Sequence, residues 1–219
     1  MSLAATSLST RAYDRFKELL FTQRLKLGSV MSQAELSALL DVSVTPLRDA
    51  IRTLQAEGLV VVQPRSGIHI LKPDTDLIRH TFQLRRLLER EAVRRTVETA
   101  SDEAIAGWRQ AHLTLSEDVS AGLAQPALGD RAAALDRGFH DAMIALLNNP
   151  VIASVYARNE ERIALTRLYL RYATHAPTVR QTLAEHMALI DAFAHRDAKA
   201  AAVAMERHMD LALHRALGL

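Results

Sequence analysis

The 219-residue chain contains no cysteine, which excludes disulfide bonds and metal sites built from thiolates. It also lacks any run of about twenty apolar residues, so we expect no transmembrane helix and no membrane partner. The first ten residues lack the basic flank and the apolar stretch of a signal peptide, and residues 1–9 are predicted to be a flexible tail. Together these absences are typical of a protein of the reducing cytoplasm.

The chain also lacks an excess of charge of either sign. Its 27 Lys and Arg residues stand against 25 Asp and Glu residues, which leaves a net charge of +2. Any affinity for nucleic acid must therefore come from a local cluster of cations. The hydrophobic fraction of 49% is high enough to build a buried core, and the length fits one or two domains.

Strand-like patterns are absent from residue 72 to the C-terminus, where apolar residues recur at helical spacing. Ser101, Asn149-Pro150 and Ala176-Pro177 provide caps and breaks between the helices. The predicted helices span residues 75–100, 102–121, 131–147, 151–173, 177–194 and 197–217. They predict an antiparallel helical bundle in residues 74–219, with six or seven helices.

The first half of the chain contains the pattern of a helix-turn-helix. Ser32 and Glu35 form a Ser-x-x-Glu capping box at the start of a short helix, which follows a first helix predicted at residues 10–27. After a tight turn, a further helix begins near Ser43 or Thr45 and ends before Gly58. Two helices joined by so short a turn indicate a helix-turn-helix.

The residues of that last helix divide between two faces. One face is apolar and consists of Leu47, Ala50, Ile51 and Leu54. Thr45, Arg48 and Arg52 share the other face and can hydrogen-bond to base edges and phosphates in a major groove. Two predicted strands, residues 59–63 and 67–71, follow around a turn that carries Arg65, and they predict a wing. Similar elements occur in domains that bind no nucleic acid, so this pattern alone leaves both readings open.

The predicted fold is therefore mainly α. An N-terminal winged helix-turn-helix of three helices plus a β-hairpin occupies residues 10–73, and the C-terminal antiparallel helical bundle occupies residues 74–219.

The residue sequence of the first domain resembles that of a known family. Leu40-Asp41-Val42-Ser43-Val44-Thr45-Pro46-Leu47-Arg48-Asp49-Ala50-Ile51, followed by Leu54-Gln55-Ala56-Glu57-Gly58-Leu59-Val60, resembles the winged helix-turn-helix of the GntR family of bacterial transcription regulators. The resemblance implies that Arg48 reads bases, with Thr45 and Arg52 beside it and Gly67 at the wing. Arg65 is a candidate for a phosphate contact. Val44 departs from the family, because many members carry a DNA-contacting arginine there.

Several polar residues of the bundle lie on otherwise apolar helix faces. Asp136 and His140 are four residues apart and share a face, and His186 and His208 lie on apolar faces of two other helices. Three imidazoles and one carboxylate directed at a common interior would suit a divalent transition metal. A single buried histidine is more often a hydrogen-bonded core residue, so the alternative stays open. His112 also falls on an apolar stripe, and the pattern does not decide between core and pocket.

The bundle also resembles a known family. Asp136-Arg-Gly-Phe-His140 with Asn149-Pro150, then Glu185-His186, Asp197, Met205 and His208, looks like the all-helical FCD effector domain of one branch of the GntR regulators. The resemblance implies a metal held by Asp136, His140, His186 and His208, with zinc expected and nickel or manganese as alternatives. It further implies a cavity in which a small carboxylic acid completes the coordination.

Arginines are the expected partners of that acid. Arg85 matches a family arginine that could pair with the carboxylate of the effector, and Arg162 is a second candidate. An arginine on a long helix is more often a surface ion-pair partner, so a structural role is the alternative.

The sequence thus predicts a homodimeric, metabolite-responsive transcription regulator that binds a palindromic operator in double-stranded DNA. Regulators in families of this kind are more often repressors than activators. A metal-dependent hydrolase is one alternative, but Glu185 is a poor general base because adjacent helical residues point about 100° apart. An architectural DNA-binding protein with a structural metal is the other, and it predicts no effect of a ligand on DNA binding.

Overall fold

The computed structural model describes residues 7–123, 126–170 and 175–219. The chain divides into two compact units, Met1–Pro73 and Asp74–Leu219. Among the described residues, no helix has the length and apolar character needed to cross a membrane.

The first unit contains three helices and a small antiparallel sheet. In chain order its elements are α1 (Leu8–Phe21), β1 (Val30–Met31), α2 (Gln33–Leu40), α3 (Val44–Ala56), β2 (Val60–Gln63) and β3 (Gly67–Ile70). The strands are ordered β1-β3-β2, and β2 and β3 form the hairpin, with Val60 opposite Ile70 and Gln63 opposite Gly67. This arrangement confirms the predicted winged helix-turn-helix.

Local hydrogen bonds explain where these helices begin and end. The Ser32 hydroxyl accepts the Glu35 N–H at 3.1 Å, and the Glu35 carboxylate accepts the Ser32 N–H at 2.7 Å, which completes the predicted capping box. Helix α1 ends at Phe21 and not at residue 27, because Gln23 adopts a left-handed conformation with φ of +59°. Of the predicted tail, residues 1–6 lie outside the described residues, and residues 8 and 9 belong to α1.

The second unit is a bundle of helices, and its described elements are α4 (Thr75–Thr99), α5 (Asp102–Ser120), α6 (Ala127–Ala145), α7 (Pro150–Leu170), α8 (Ala176–Ala194) and α9 (Ala198–Leu217). Side chains of Asp74, Ser101 and Asp197 accept N–H groups at the starts of α4, α5 and α9. Helix α6 begins four residues before its predicted start. The predicted last residues of α7, 171–173, lie outside the described residues.

The core of the second unit surrounds a set of buried polar groups. Side chains from all six described helices, α4 to α9, form one hydrophobic cluster, which includes Val93, Phe139, Met143, Phe193 and Met205. Each helix turns an apolar face inward, so burial of these side chains is the main source of stability. The polar groups inside this core, among them Arg85, Glu89, His112 and His140, need partners because unpaired burial is costly.

Candidate functional site

Four predicted ligand residues meet inside the helical unit. Asp136 and His140 come from α6, His186 from α8 and His208 from α9. One nitrogen or oxygen atom of each residue lies within 4.8 Å of the others, and all four side chains are buried. The Nε2 atoms of His186 and His140 lie 3.6 and 3.9 Å from Asp136 Oδ1. The sequence spacing placed these residues on the apolar faces of three separate helices, and the structure brings the four side chains together.

The Nε2 atoms of the three histidines all lack a hydrogen-bond partner among the described residues. They are buried and belong to His140, His186 and His208. A buried polar atom without a partner costs about 1 to 3 kcal/mol, and three of them at one point would be a large penalty. A cation that accepts their lone pairs removes this penalty, so the donor set fits a metal ion.

Carboxylates hold the other ring nitrogen of two of these histidines. His140 Nδ1 lies 2.6 Å from Glu89 Oε2, and His208 Nδ1 lies 2.8 Å from Glu185 Oε2. An ionised carboxylate can only accept, so each Nδ1 carries the proton and donates it. In the neutral form of each ring, Nε2 then has a free lone pair directed at the centre of the cluster, which is the tautomer that a metal requires.

The third histidine is held by another imidazole. His186 Nδ1 lies 3.0 Å from Nε2 of His112, and His112 Nδ1 lies 2.7 Å from the carbonyl oxygen of Trp108. His112 is buried, at 1% exposure, and its ring packs edge-on against Phe139. The open question about His112 is thereby answered, because it belongs to the surroundings of the cluster.

Arginines balance the charge of the buried carboxylates. Arg85 Nε donates to Glu89 Oε1 at 2.6 Å. Arg215 donates to both oxygens of Glu185 at 2.7 and 2.9 Å. Arg167 Nη2 lies 2.6 Å from Oδ2 of Asp136, and this oxygen is the one that does not face the histidines. Each carboxylate in or next to the cluster therefore has its own cation, which reduces the cost of its burial.

The protonation of the cluster follows from these surroundings. Burial lowers the pKa of His186 well below its usual value, with the neighbouring His208 and His140 acting in the same direction. Burial also lowers the pKa of His208, against the hydrogen bond to Glu185 that raises it. Burial alone would raise the pKa of Asp136, but Arg167 and His140 hold it well below its usual range. His186 and His208 are therefore neutral and Asp136 is ionised near pH 7, as a metal site requires.

One carboxylate oxygen and three imidazole nitrogens suit zinc, nickel or manganese better than calcium or magnesium, which prefer oxygen ligands. When bound, such an ion supplies a site of positive charge to which an anion can coordinate.

A cavity of about 60 Å³ opens beside three of the four residues. Its walls include Asp136, His186 and His208, and the apolar side chains on it are Leu115, Ala132, Ala133, Leu135, Val179, Leu183 and Ala212. The remaining wall residues are Arg167, Arg215, Thr178 and Thr182. A volume of this size holds roughly four to six groups the size of a water molecule. The cavity therefore suits a small ligand.

The two arginines predicted to contact an effector lie elsewhere. Arg85 and Arg162 are not among the residues that line this cavity. Arg85 is fully buried in an ion pair with Glu89, so it is not a surface ion-pair partner, and the effector contact of the two arginines stays a prediction. The cavity instead has Arg167 and Arg215 in its wall.

The predicted DNA-contacting residues lie on the exposed face of the first unit. Thr45, Arg48 and Arg52 are all exposed on α3, and Arg52 lies 3.1 Å from Asp49 in an ion pair. Arg48 Nε donates a long hydrogen bond, 3.4 Å, to Gln33 of α2. Arg65 is exposed in the hairpin turn, in a left-handed conformation with φ of +67°. These cations are positioned to meet a polyanion without first breaking a buried contact.

Gly67 has a role that the sequence did not reveal. Its φ is +104°, and a Cβ at this position would lie 2.8 Å from the carbonyl oxygen of Met31. The glycine therefore allows β1 to pair closely with β3, where Met31 lies opposite Ile68. Strand β1 was not predicted, because two residues are too few to form a pattern.

Some residues of the site escaped the sequence analysis. Glu89, Tyr156 and Arg215 carry no motif, and their roles depend on which helices pack together. Glu185 was judged a poor general base beside the metal, and its two contacts, with His208 and Arg215, give it a supporting role instead.

Comparisons with known proteins agree on the class of protein. Residues 8–70 match the family described as bacterial regulatory proteins, gntR family, and residues 80–211 match the FCD domain. The Nta operon transcriptional regulator of Aminobacter aminovorans is 30% identical over 142 residues, which are 64% of this chain and 64% of that protein. The Uxu operon transcriptional regulator of Escherichia coli strain K12 is 26% identical over 202 residues, 84% of this chain and 77% of that protein.

A solved structure shows the same fold. E. coli McbR/YncC superimposes with a TM-score of 0.75 at 19% identity, covering 98% of this chain and 99% of that one. The matched families consist of regulators, so the hydrolase alternative is set aside.

Proposed function

Since the chain belongs to the GntR family of bacterial regulatory proteins and carries an FCD domain, we propose that it is a transcription regulator controlled by a small carboxylic acid at a metal centre. It binds double-stranded operator DNA as a homodimer and acts in the cytoplasm, where the bacterial chromosome lies. One observation carries the proposal: four candidate ligand atoms within 4.8 Å of one another, three of them from residues lining a cavity.

The metal is held by Asp136, His140, His186 and His208, with zinc as the expected ion. A zinc ion held by these four residues would need to expand beyond four ligands to bind an acid, and a carboxylate oxygen would be a suitable additional ligand. The cavity borders Asp136, His186 and His208, so an acid in the cavity is adjacent to the metal.

The walls of the cavity restrict the acid. Arg167 and Arg215 are each engaged with a protein carboxylate, so the ligand's own carboxylate depends mainly on the metal. Thr178 and Thr182 lie one turn apart on α8 and offer hydroxyl groups. Most of the remaining wall is apolar and would leave sugar hydroxyl groups without partners. A short monocarboxylic acid with at most one further polar group is therefore the expected effector.

DNA binding rests on α3 and the hairpin. Arg48, Thr45 and Arg52 lie on the exposed face of α3 and would contact base edges and phosphates in the major groove, with Arg65 on a phosphate at the wing. Replacing Arg48 by alanine should cost about 1 to 3 kcal/mol of operator affinity and relax the sequence preference. Replacing Arg15, which is partly exposed and paired with Glu18 on α1, serves as the control.

The acid controls DNA binding through a population shift. A ligand that binds one arrangement of the helical unit more tightly than another favours that arrangement in proportion to the difference in affinity. The Lys72 to Asp76 connection between the two units would pass this change to the winged unit. Release of the operator by the acid would make the protein a repressor.

The test is a thermal-shift series on zinc-loaded and chelator-treated protein. Acetate, lactate and pyruvate represent short monocarboxylic acids, and gluconate represents a six-carbon sugar acid. A ligand specific for the folded protein raises its apparent stability, so short acids should stabilise the zinc-loaded form only. Stabilisation by gluconate alone would refute the assignment of ligand size, and an equal response with and without zinc would refute the role of the metal.

A further inference from the structure

We propose that His112 is a positioning residue of the metal centre, which holds His186 in the tautomer whose Nε2 can bind the metal. The inference rests on the proposed metal site and assigns to it a fourth histidine, from α5, a helix that supplies none of the four ligands.

The tautomer of His112 follows from its contact with the backbone. His112 Nδ1 lies 2.7 Å from the Trp108 carbonyl oxygen, which can only accept a hydrogen bond. The proton of the neutral ring is therefore on Nδ1, and Nε2 has a lone pair.

The tautomer of His186 follows in turn. Its Nδ1 lies 3.0 Å from the His112 Nε2 lone pair, so His186 donates its Nδ1 proton in that hydrogen bond. Its own Nε2 is then left with a lone pair directed at Asp136 Oδ1, 3.6 Å away, and at the other two Nε2 atoms. A peptide carbonyl thus determines, through two imidazole rings, which nitrogen of His186 faces the metal.

This arrangement differs from that of the other two histidines. His140 and His208 donate to ionised carboxylates, Glu89 and Glu185, whereas His186 donates to a neutral ring. A carboxylate makes its histidine a more basic ligand and a neutral acceptor does so less. The role of His112 is therefore orientation of His186 without an additional negative charge beside the cavity.

Three substitutions separate this role from simple packing. His112→Phe keeps a ring against Phe139 but has no acceptor for His186. His112→Gln has an amide oxygen that can reach the position of Nε2 and accept the same hydrogen bond. His195→Phe is the matched control, because His195 Nδ1 makes the same bond to a carbonyl four residues earlier, at 2.8 Å, but on the exposed end of α8.

The experiment measures zinc affinity by competition with a chromophoric chelator, together with the melting temperature of the metal-free protein. Loss of a hydrogen-bond partner of a metal ligand typically costs about 10- to 100-fold in metal affinity, which is the loss expected for His112→Phe. His112→Gln should recover most of it, and His195→Phe should equal the wild type. If His112→Phe does not fold, His112→Asn replaces it, since asparagine can bond to the Trp108 carbonyl but is too short to reach His186.

Long-range nitrogen–proton NMR on metal-free protein gives a second readout. The wild type should show the His186 proton on Nδ1, and His112→Phe should show both tautomers. Wild-type zinc affinity in both His112→Phe and His112→Asn would overturn the inference while leaving the metal site intact. A wild type that binds no zinc would instead overturn the proposed function.

Discussion

Replacing Glu89 by glutamine should both destabilise the helical unit and weaken metal binding at the proposed site. Glu89 accepts from three donors: Arg85 Nε at 2.6 Å, the Tyr156 hydroxyl at 2.7 Å and His140 Nδ1 at 2.6 Å. A carboxylate can accept all three, because both of its oxygens are acceptors. A glutamine amide brings an NH₂ group to one of these oxygen positions, where it meets a donor.

The magnitude follows from the burial of Arg85. Both Arg85 and Glu89 have fully buried side chains, and breaking a buried pair by removing one charge costs about 3 to 5 kcal/mol. Glu160 lies 3.7 Å from Arg85 Nε and remains as a partial counter-charge, so we expect the lower end, about 3 kcal/mol.

The loss of metal affinity has a separate cause. If the glutamine NH₂ group faces His140, that ring can satisfy it only by accepting at Nδ1, which moves the His140 proton to Nε2. The Nε2 atom of His140 then has no lone pair to offer a metal, and zinc affinity should fall by about 10- to 100-fold.

Urea unfolding of metal-free protein, followed by tryptophan fluorescence, measures the stability change. Trp108 is the only tryptophan of the chain and packs against Phe139 beside the cluster, so its fluorescence reports on the helical unit. Glu91→Gln is the control, because Glu91 lies two residues further along α4 and forms an ion pair with Arg94 at the surface. A loss below about 1 kcal/mol in Glu89→Gln would refute the reasoning, since it would mean that water or rearrangement replaces the lost charge.

Two further predictions concern the winged unit and pH. Gly67→Ala should destabilise the winged unit by about 1 to 3 kcal/mol, because its Cβ would meet the Met31 carbonyl at positive φ. Gly107→Ala, which adds a Cβ with no atom within 4 Å, should not destabilise, and thermal melting compares the two. For pH, the depressed pKa values of His186 and His208 mean that the unfolded chain binds more protons below about pH 6.5, so metal-free stability should fall from pH 7 to 5 in urea titrations.

Sequence patterns predicted the elements of the fold well because each helix carries its own local signals. Ser32, Ser101 and Asp197 form caps that depend on two or three residues of sequence. The positions of Asp136 and His140 followed from helical spacing in the same way. Strand β1 and the close approach of Gly67 to Met31 depend on pairing between distant segments, which local patterns do not record.

The surroundings of the four candidate ligands were harder to predict for a related reason. Helix α4 carries many charged residues, and Arg85 and Glu89 differ from exposed Arg90 and Glu91 only in the direction they face. A rotation of about 100° per residue separates burial from exposure, and packing against α6 and α7 decides it. His112 was recognised as lying on an apolar stripe, but its partner His186 is on α8, 74 residues away.

Each histidine of the cluster requires an acceptor, and each buried carboxylate that serves as the acceptor requires a cation. A neutral imidazole that presents Nε2 to a metal must place its Nδ1 proton on an acceptor. Where that acceptor is a buried carboxylate, it requires a cation, which explains Arg85 beside Glu89 and Arg215 beside Glu185. The hydrogen bonds from His186 lead to a neutral imidazole and then to a backbone carbonyl, so His186 needs no further cation. Of the three histidines, His186 and His208 border the cavity, and His186 is the one whose support carries no charge. If an ion is held at this site, we therefore expect an acid in the cavity to perturb its contact with His186 more than its contacts with His140 and His208.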